Sequence, residues 1–260
     1  MRGPPPLVLR GAASDPPAGL EPAPRRSEAP ASGLYLDWDG ERLRLVRAGA
    51  PPVAVEVDFL RGPEAWRLRR PDARGEPLAR AAGLRGARTA PRILDAGAGL
   101  GRDAALLASL GCRVEAWERS PVLAALLADG LRRAAAGGLG WPHRLELHRG
   151  DARPRLRRLA CAALEERPEV VYLDPMHPPR RGSARVRKEM ALLQELLGPA
   201  TAEEEAELLE LALAAARERV VVKRPLQGPP LAGRAPDHAR RGRRARFDLY
   251  RPGNLDADGG

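Results

Sequence analysis

The stretch Asp95-Ala-Gly-Ala-Gly-Leu-Gly101 decides the fold, and the chain reads outward from it in both directions. Before it lies an apolar lead-in, Pro91-Arg-Ile-Leu94. After it comes Arg102-Asp-Ala-Ala-Leu-Leu-Ala-Ser-Leu110, whose apolar positions recur at helical spacing. The segment is therefore a strand, a Gly-rich turn and a helix. A second stretch, Asp174-Pro-Met-His-Pro178, caps Val170-Val-Tyr-Leu173, a short apolar run of the kind that forms a buried parallel strand. Both stretches thus stand at strand ends, the edge of an open α/β sheet where ligands bind.

From residue 91 onward strands and helices alternate, which predicts a parallel sheet. Strands are expected over 91–96, 112–118, 145–148, 170–173, 220–225 and 246–250. The helices between them span 102–110, with Gly111 after its end, 121–136 with Ser120 as N-cap, 152–167, a run from Ser183 to Leu197, and one opened by a Thr201/Glu204 capping box. Upstream, Leu34–Trp38, Arg42–Val46 and Val53–Phe59 alternate as three short antiparallel strands, and Pro77–Gly83 reads as a helix. The expected organisation is a Pro/Ala/Arg-rich flexible lead-in (1–33), a small β-rich subdomain (34–84) and the α/β domain (85–260).

At 43% hydrophobic the chain can fill a core of that size, and a formal net charge of +10 points to a polyanionic partner. Only Lys188 and Lys223 are lysines, so the arginine excess fits either a biased composition or a nucleic-acid footprint. Arg180, Arg181, Arg185, Arg187 and Lys188 crowd the segment after Asp174; Arg240, Arg241, Arg243, Arg244 and Arg246 form a second cluster. Such clusters either contact phosphates, without specifying sequence, or form an ordinary solvated face. Aromatics at 3% argue against a stacking-platform module. Two separated cysteines and four scattered histidines give neither a disulfide framework nor a metal site, so no metal is expected. No stretch has the length and apolarity of a signal core or a membrane span, so a cytoplasmic protein is expected.

In the dinucleotide-binding pattern a third glycine would occupy position 102, where Arg102 stands. The observed Asp95-x-Gly97-x-Gly99-x-Gly101 instead resembles motif I of the class I S-adenosylmethionine-dependent methyltransferases. Glu118, ending the next strand, suits ribose hydroxyls; Asp151 either accepts from an adenine amino group or caps its loop. Asp174 with the carbonyl of Pro175 suits an exocyclic amine, a poor nucleophile that must be held in line while its N–H groups are accepted. His177 stands where related motifs carry a base-stacking aromatic. The competing reading has Asp174 capping a turn while Met176 and His177 only pack.

The ordered set Asp95–Asp103, Glu118-Arg-Ser-Pro121, Val171-Tyr-Leu-Asp-Pro-Met176, Lys188-Glu-Met190, Val220–Pro225 and Arg246-Phe-Asp248, extended upstream by Val57-Asp-Phe59 and Arg74-Gly-Glu76, resembles the RsmJ-type methyltransferases. That resemblance implies a class I methyltransferase Rossmann-like sheet and methyl transfer from S-adenosyl-L-methionine to a guanine N2 of 16S ribosomal RNA or the small ribosomal subunit. It implies a cofactor site of Asp95, Gly97, Gly99, Gly101, Arg102, Asp103, Glu118, Arg119, Gly150, Asp151 and Asp174. Catalysis would fall to Asp174, Pro175 and His177, and RNA contact to Arg180, Arg181, Arg185, Arg187, Lys188 and Lys223. The rival readings are an adenine-N6 or protein-glutamine methyltransferase, or a non-catalytic RNA-binding assembly protein.

Overall fold

The computed structural model describes residues 8–11, 25–26, 28–70, 72–85, 89–175, 184–198 and 200–253. His177, Arg180, Arg181 and Ser183 lie outside the described residues. Arg185 and Arg187 are placed on a helix backbone, with their side chains outside the description.

Two sheets are formed. The first has the order β2-β1-β3-β4-β5, from Val8–Gly11 (β1), Arg25–Arg26 (β2), Leu34–Trp38 (β3), Leu43–Arg47 (β4) and Val53–Val55 (β5). The three antiparallel strands read from the alternation are β3, β4 and β5. The unstructured lead-in expected over 1–33 is interrupted by β1, which runs parallel to β3 and buries Leu9. Four residues are too few to show a period, and backbone pairing alone secures them.

After Gly62–Arg69 (α1) and Pro77–Ala81 (α2) comes the second sheet, of order β11-β12-β10-β9-β6-β7-β8. Its strands are Arg92–Asp95 (β6), Arg113–Glu118 (β7), Leu145–Arg149 (β8), Val170–Leu173 (β9), Arg219–Arg224 (β10), His238–Arg241 (β11) and Arg246–Tyr250 (β12). β8, β7, β6, β9 and β10 are parallel, while β12 and β11 join antiparallel. The chain builds outward from β6 through β7 to β8, then returns to place β9 on the other side of β6. The crevice between β6 and β9 is therefore the topological switch point.

Helices Arg102–Ser109 (α3) and Pro121–Ala136 (α4) cover one face, Arg153–Ala160 (α5) and Ala202–Ala215 (α7) the other, with Ala184–Leu197 (α6) following β9. Burial on both faces explains why β9 reads as an uninterrupted apolar run. The expected caps are present: Ser120 Oγ accepts from Leu123 N at the start of α4, and Thr201 with Glu204 forms a reciprocal capping box on α7. α5 stops at Ala160 rather than 167, because the Arg167 guanidinium donates to the carbonyls of Ala160 and Ala162 and ends the helix. α1 and β11 escape sequence reading for one reason. α1 buries only Ala65 and β11 is exposed throughout, so neither shows an apolar period.

Candidate active site

The loop after β6 is held open by its own backbone. Gly99 (φ 56°) and Gly101 (φ 71°) adopt left-handed conformations that favour glycine, and Gly101 opens α3. A Cβ on Gly101 would meet Leu127 of α4 at 2.3 Å, so that glycine serves helix packing. At Gly97 and Gly99 a Cβ would meet nothing within 4 Å, so these two face open space.

That space is a cavity of about 280 Å³ lined by the loop, Arg102, Asp103, Glu118, Arg119, Gly150, Asp151, Tyr172, Asp174, Pro175, Met190 and Lys223, among others. Every cofactor residue read from the sequence lines it except Gly101, which stands just behind.

Glu118 is almost fully buried and binds the loop from below. Its Oε2 accepts from Gly99 N at 2.7 Å and its Oε1 from Ser120 N at 2.7 Å. Each oxygen retains a second lone pair, so the carboxylate both shapes the loop and can accept from a ligand. Burial pushes its pKa up. Asp95 accepts from Gly97 N at 3.2 Å and is 1% exposed; burial, then the nearby carboxylates of Asp174, Asp103 and Glu118, push its pKa up to about 8 against the lowering effect of that hydrogen bond.

Across the switch point an ion-pair chain reaches the other carboxylate. Lys223 Nζ donates to Asp174 Oδ2 at 2.8 Å and to Asp103 Oδ2 at 2.7 Å. Asp103 Oδ2 also accepts from the Tyr172 hydroxyl at 2.7 Å, and its Oδ1 accepts from Arg67 Nη1 at 2.8 Å. Arg67 continues to Glu76 at 2.8 Å. Burial raises the pKa of Asp174, with Lys223 opposing; at Asp103 the charges of Lys223 and Arg67 overcome burial and hold the carboxyl well below its ordinary range.

Lys223, expected among the RNA contacts, is thus placed inside the pocket, its ammonium committed to two carboxylates. Tyr172 and Arg67 were not singled out from sequence. The signal for Tyr172 was available, since a hydroxyl in an otherwise aliphatic buried strand must find a partner. Arg67 gave none, being one of several arginines in a helix without an apolar stripe.

The remaining residues are partly engaged. Arg102 pairs with Glu64 of α1 at 3.4 Å and Glu189 of α6 at 3.3 Å, and Arg119 with Glu204 at 3.5 Å. Asp151 accepts from the backbone N and the guanidinium of Arg153, so of its two readings the loop contact is formed. Gly150 (φ 128°) donates to the Glu118 carbonyl, bringing the ends of β7 and β8 together. Lys188 is exposed on α6. Among the described residues no group of three or more His, Cys, Asp or Glu is arranged to hold a metal ion, and no helix is long and apolar enough to cross a membrane.

Comparison with known proteins places this geometry. The family model described as "Putative SAM-dependent methyltransferase" matches residues 25–252. A protein of Thioalkalivibrio sulfidiphilus named ribosomal RNA small subunit methyltransferase J is 46% identical over 87% of this chain and 88% of its own length. One of the same name from Alkalilimnicola ehrlichii is 46% identical over 94% of this chain and 95% of its own. The chain belongs to the ribosomal RNA small subunit methyltransferase J family. The crystal structure of a SAM-dependent methyltransferase from Neisseria gonorrhoeae is similar throughout, with a TM-score of 0.74, 35% identity, and coverage of 96% of this chain and 98% of that one.

The chain is accordingly an enzyme whose methyl donor is S-adenosyl-L-methionine, with the α/β class I methyltransferase fold. The residues present fit that donor. Gly97 and Gly99 leave room for a ligand against the backbone, and Asp95, Asp103, Glu118 and Asp174 surround the cavity with carboxyl groups suited to a cationic sulfonium and ammonium.

Proposed function

We propose that this enzyme methylates the exocyclic N2 of a guanine in 16S ribosomal RNA, as naked RNA or within the small ribosomal subunit, in the cytoplasm. The observation that carries the reading is the placement of Asp174 and Pro175. They end β9 directly across the switch point from the Gly97–Gly99 loop, on the same cavity, with Asp174 anchored by Lys223 at 2.8 Å.

When bound, S-adenosyl-L-methionine supplies an electrophilic methyl on its sulfonium. Gly97, Gly99 and Glu118 would hold it, with Arg102, Arg119 and the Gly150–Asp151 corner around it. Asp174 and the Pro175 carbonyl accept hydrogen bonds from the guanine amine, turning its nitrogen lone pair toward the cavity. This is positioning and electrostatic stabilisation rather than prior deprotonation, because the proton leaves the nitrogen only after methyl transfer. Asp174 is the carboxylate placed to receive it. Lys223 keeps that carboxylate ionised and fixes its orientation, while Tyr172 and Arg67 fix Asp103, the other anchor of Lys223. The base reaches the pocket unpaired or turned out of its stack.

The support for RNA over other amine carriers is the names of the close relatives together with the net charge of +10 and the run of basic residues that follows Asp174 in the sequence. Incubation with isotopically labelled cofactor and unmodified 16S RNA or small subunits, followed by digestion to nucleosides, should give label as N2-methylguanosine, abolished by Asp174→Ala. Label on adenine or on protein would replace the proposed acceptor. Cofactor binding with no transfer to any of these substrates would overturn catalysis in favour of an assembly role.

A further inference from the structure

We infer that the turn joining β11 to β12 is a docking site for the sugar–phosphate backbone flanking the target nucleotide, an inference that rests on RNA being the substrate. Among the described residues, many arginines elsewhere are spent internally: Arg67, Arg92, Arg102, Arg133, Arg153 and Arg155 all have carboxylate partners. Arg246, the fifth member of the second cluster, is likewise committed, donating to both oxygens of the buried Asp248. Arg240, Arg241, Arg243 and Arg244 differ. All four are exposed, and among the described residues none forms an ion pair. No acidic residue occurs between Asp237 and Asp248, and Asp237 accepts from Arg251 N. Four uncompensated guanidinium groups within five residues should repel one another, an arrangement that makes physical sense when a polyanion relieves it.

The sheet register says where that charge lies. Lys223 pairs with Phe247, and Phe247 with Arg240; Arg224 pairs with Arg246, and Arg246 with Arg241. β10 pairs in turn with β9, whose Leu173 stands beside Val222. The C-terminal ends of β9, β10 and β11 and the start of β12 therefore share one edge, the edge that carries Asp174. The turn, closed by Gly242 N donating to the Ala245 carbonyl at 2.8 Å, is three strands from β9. At about 4.8 Å per strand that is roughly 14 Å, a few nucleotides from a base seated at Asp174. β11 is also an edge strand with all four residues exposed; Pro77 of α2 packs under the turn at Gly242 and leaves the four arginines open to solvent. Unlike base-reading groups, guanidinium groups on phosphates set register without reading sequence.

The test is a variant carrying Arg240→Gln, Arg241→Gln, Arg243→Gln and Arg244→Gln, compared with one carrying Lys at the same four positions. Binding to unmodified 16S RNA is measured across a salt series, alongside cofactor affinity and steady-state methylation. In the Gln variant the slope of log affinity against log salt should become shallower by about 0.7 to 0.9 for each phosphate contact removed, so by about 3 if all four engage. KM for RNA should rise at least tenfold at 0.15 M salt, with kcat at saturation and cofactor Kd unchanged, and the Lys variant should restore most of the slope. A Gln variant whose affinity and slope match those of the unsubstituted enzyme would overturn the inference. Failure of the RNA reading itself is scored separately, on the unsubstituted enzyme's nucleoside products.

Discussion

Four carboxyl groups converge on the pocket, and Lys223 is the cation that divides their labour. Burial works to raise the pKa of all four and does raise those of Asp95, Glu118 and Asp174. At Asp103, Lys223 and Arg67 outweigh it. As the proposed acceptor of amine hydrogens, Asp174 must be ionised to work, and Lys223 is what opposes its protonation. Replacing Lys223 with Met should therefore push the Asp174 pKa further up, so that more alkaline conditions are needed to ionise it. The acid limb of the kcat/KM profile should move to higher pH, with activity near neutrality falling about ten- to a hundredfold and partly recovering as pH rises. Cofactor binding should persist. A variant that only loses thermal stability, with its pH profile unmoved, would reduce Lys223 to a packing residue.

The Gly-rich loop shows how one motif divides into structural and ligand-facing positions. Gly101 has a left-handed φ of 71° and lies against Leu127, so Gly101→Ala adds a strained backbone and an overlap of α3 with α4. Each costs about 1 to 3 kcal/mol, and the melting temperature should fall by several degrees. Gly97 has no such constraint, and its Cβ would enter open cavity. Gly97→Ala should leave the melting temperature within about a degree while weakening cofactor binding at least tenfold, as titration calorimetry would measure. Equal effects of the two substitutions on stability would contradict this division. The motif itself was legible in the sequence because glycine spacing reports backbone geometry; which glycine served which purpose was not, since that depends on Leu127, a residue from the next helix. The same limit explains the other gaps. Ser120 and Thr201 announce their helices through local capping chemistry, whereas β1 and α1 are set by pairing or ion pairs with distant segments and β11, exposed throughout, shows no apolar period. Asp174 is readable from its place after an apolar strand; its partner Lys223 lies 49 residues further on, and nothing local in the sequence announces the pair.

Across the whole molecule, the division into a small N-terminal unit and a methyltransferase domain, natural on composition alone, meets a continuous core. Leu36, Leu43 and Leu45 of the first sheet belong to the same buried cluster as Ile93 of the second and Leu106 and Leu126 of the helices packed on it. α4 forms the seam. Gly130 lets Val57 approach so closely that a Cβ there would lie 2.4 Å from it, and the fully buried Asp129 accepts from Leu43 N at 3.1 Å. Arg67 adds a polar tie, joining α1 to Asp103 in the active site. Separating the two layers would expose that apolar surface and strip Asp129 of its Leu43 N donor and Asp103 of Arg67, a penalty that neither layer could offset alone. The two sheets should therefore unfold together, giving a single calorimetric transition in which the direct and van't Hoff enthalpies agree. Two resolved transitions, or a stable folded fragment beginning near residue 89, would show the seam to be weaker than its contacts imply. Because the active-site chain Asp174–Lys223–Asp103–Arg67–Glu76 crosses this seam, cofactor binding should raise the temperature of that one transition as a whole rather than stabilise the methyltransferase layer selectively.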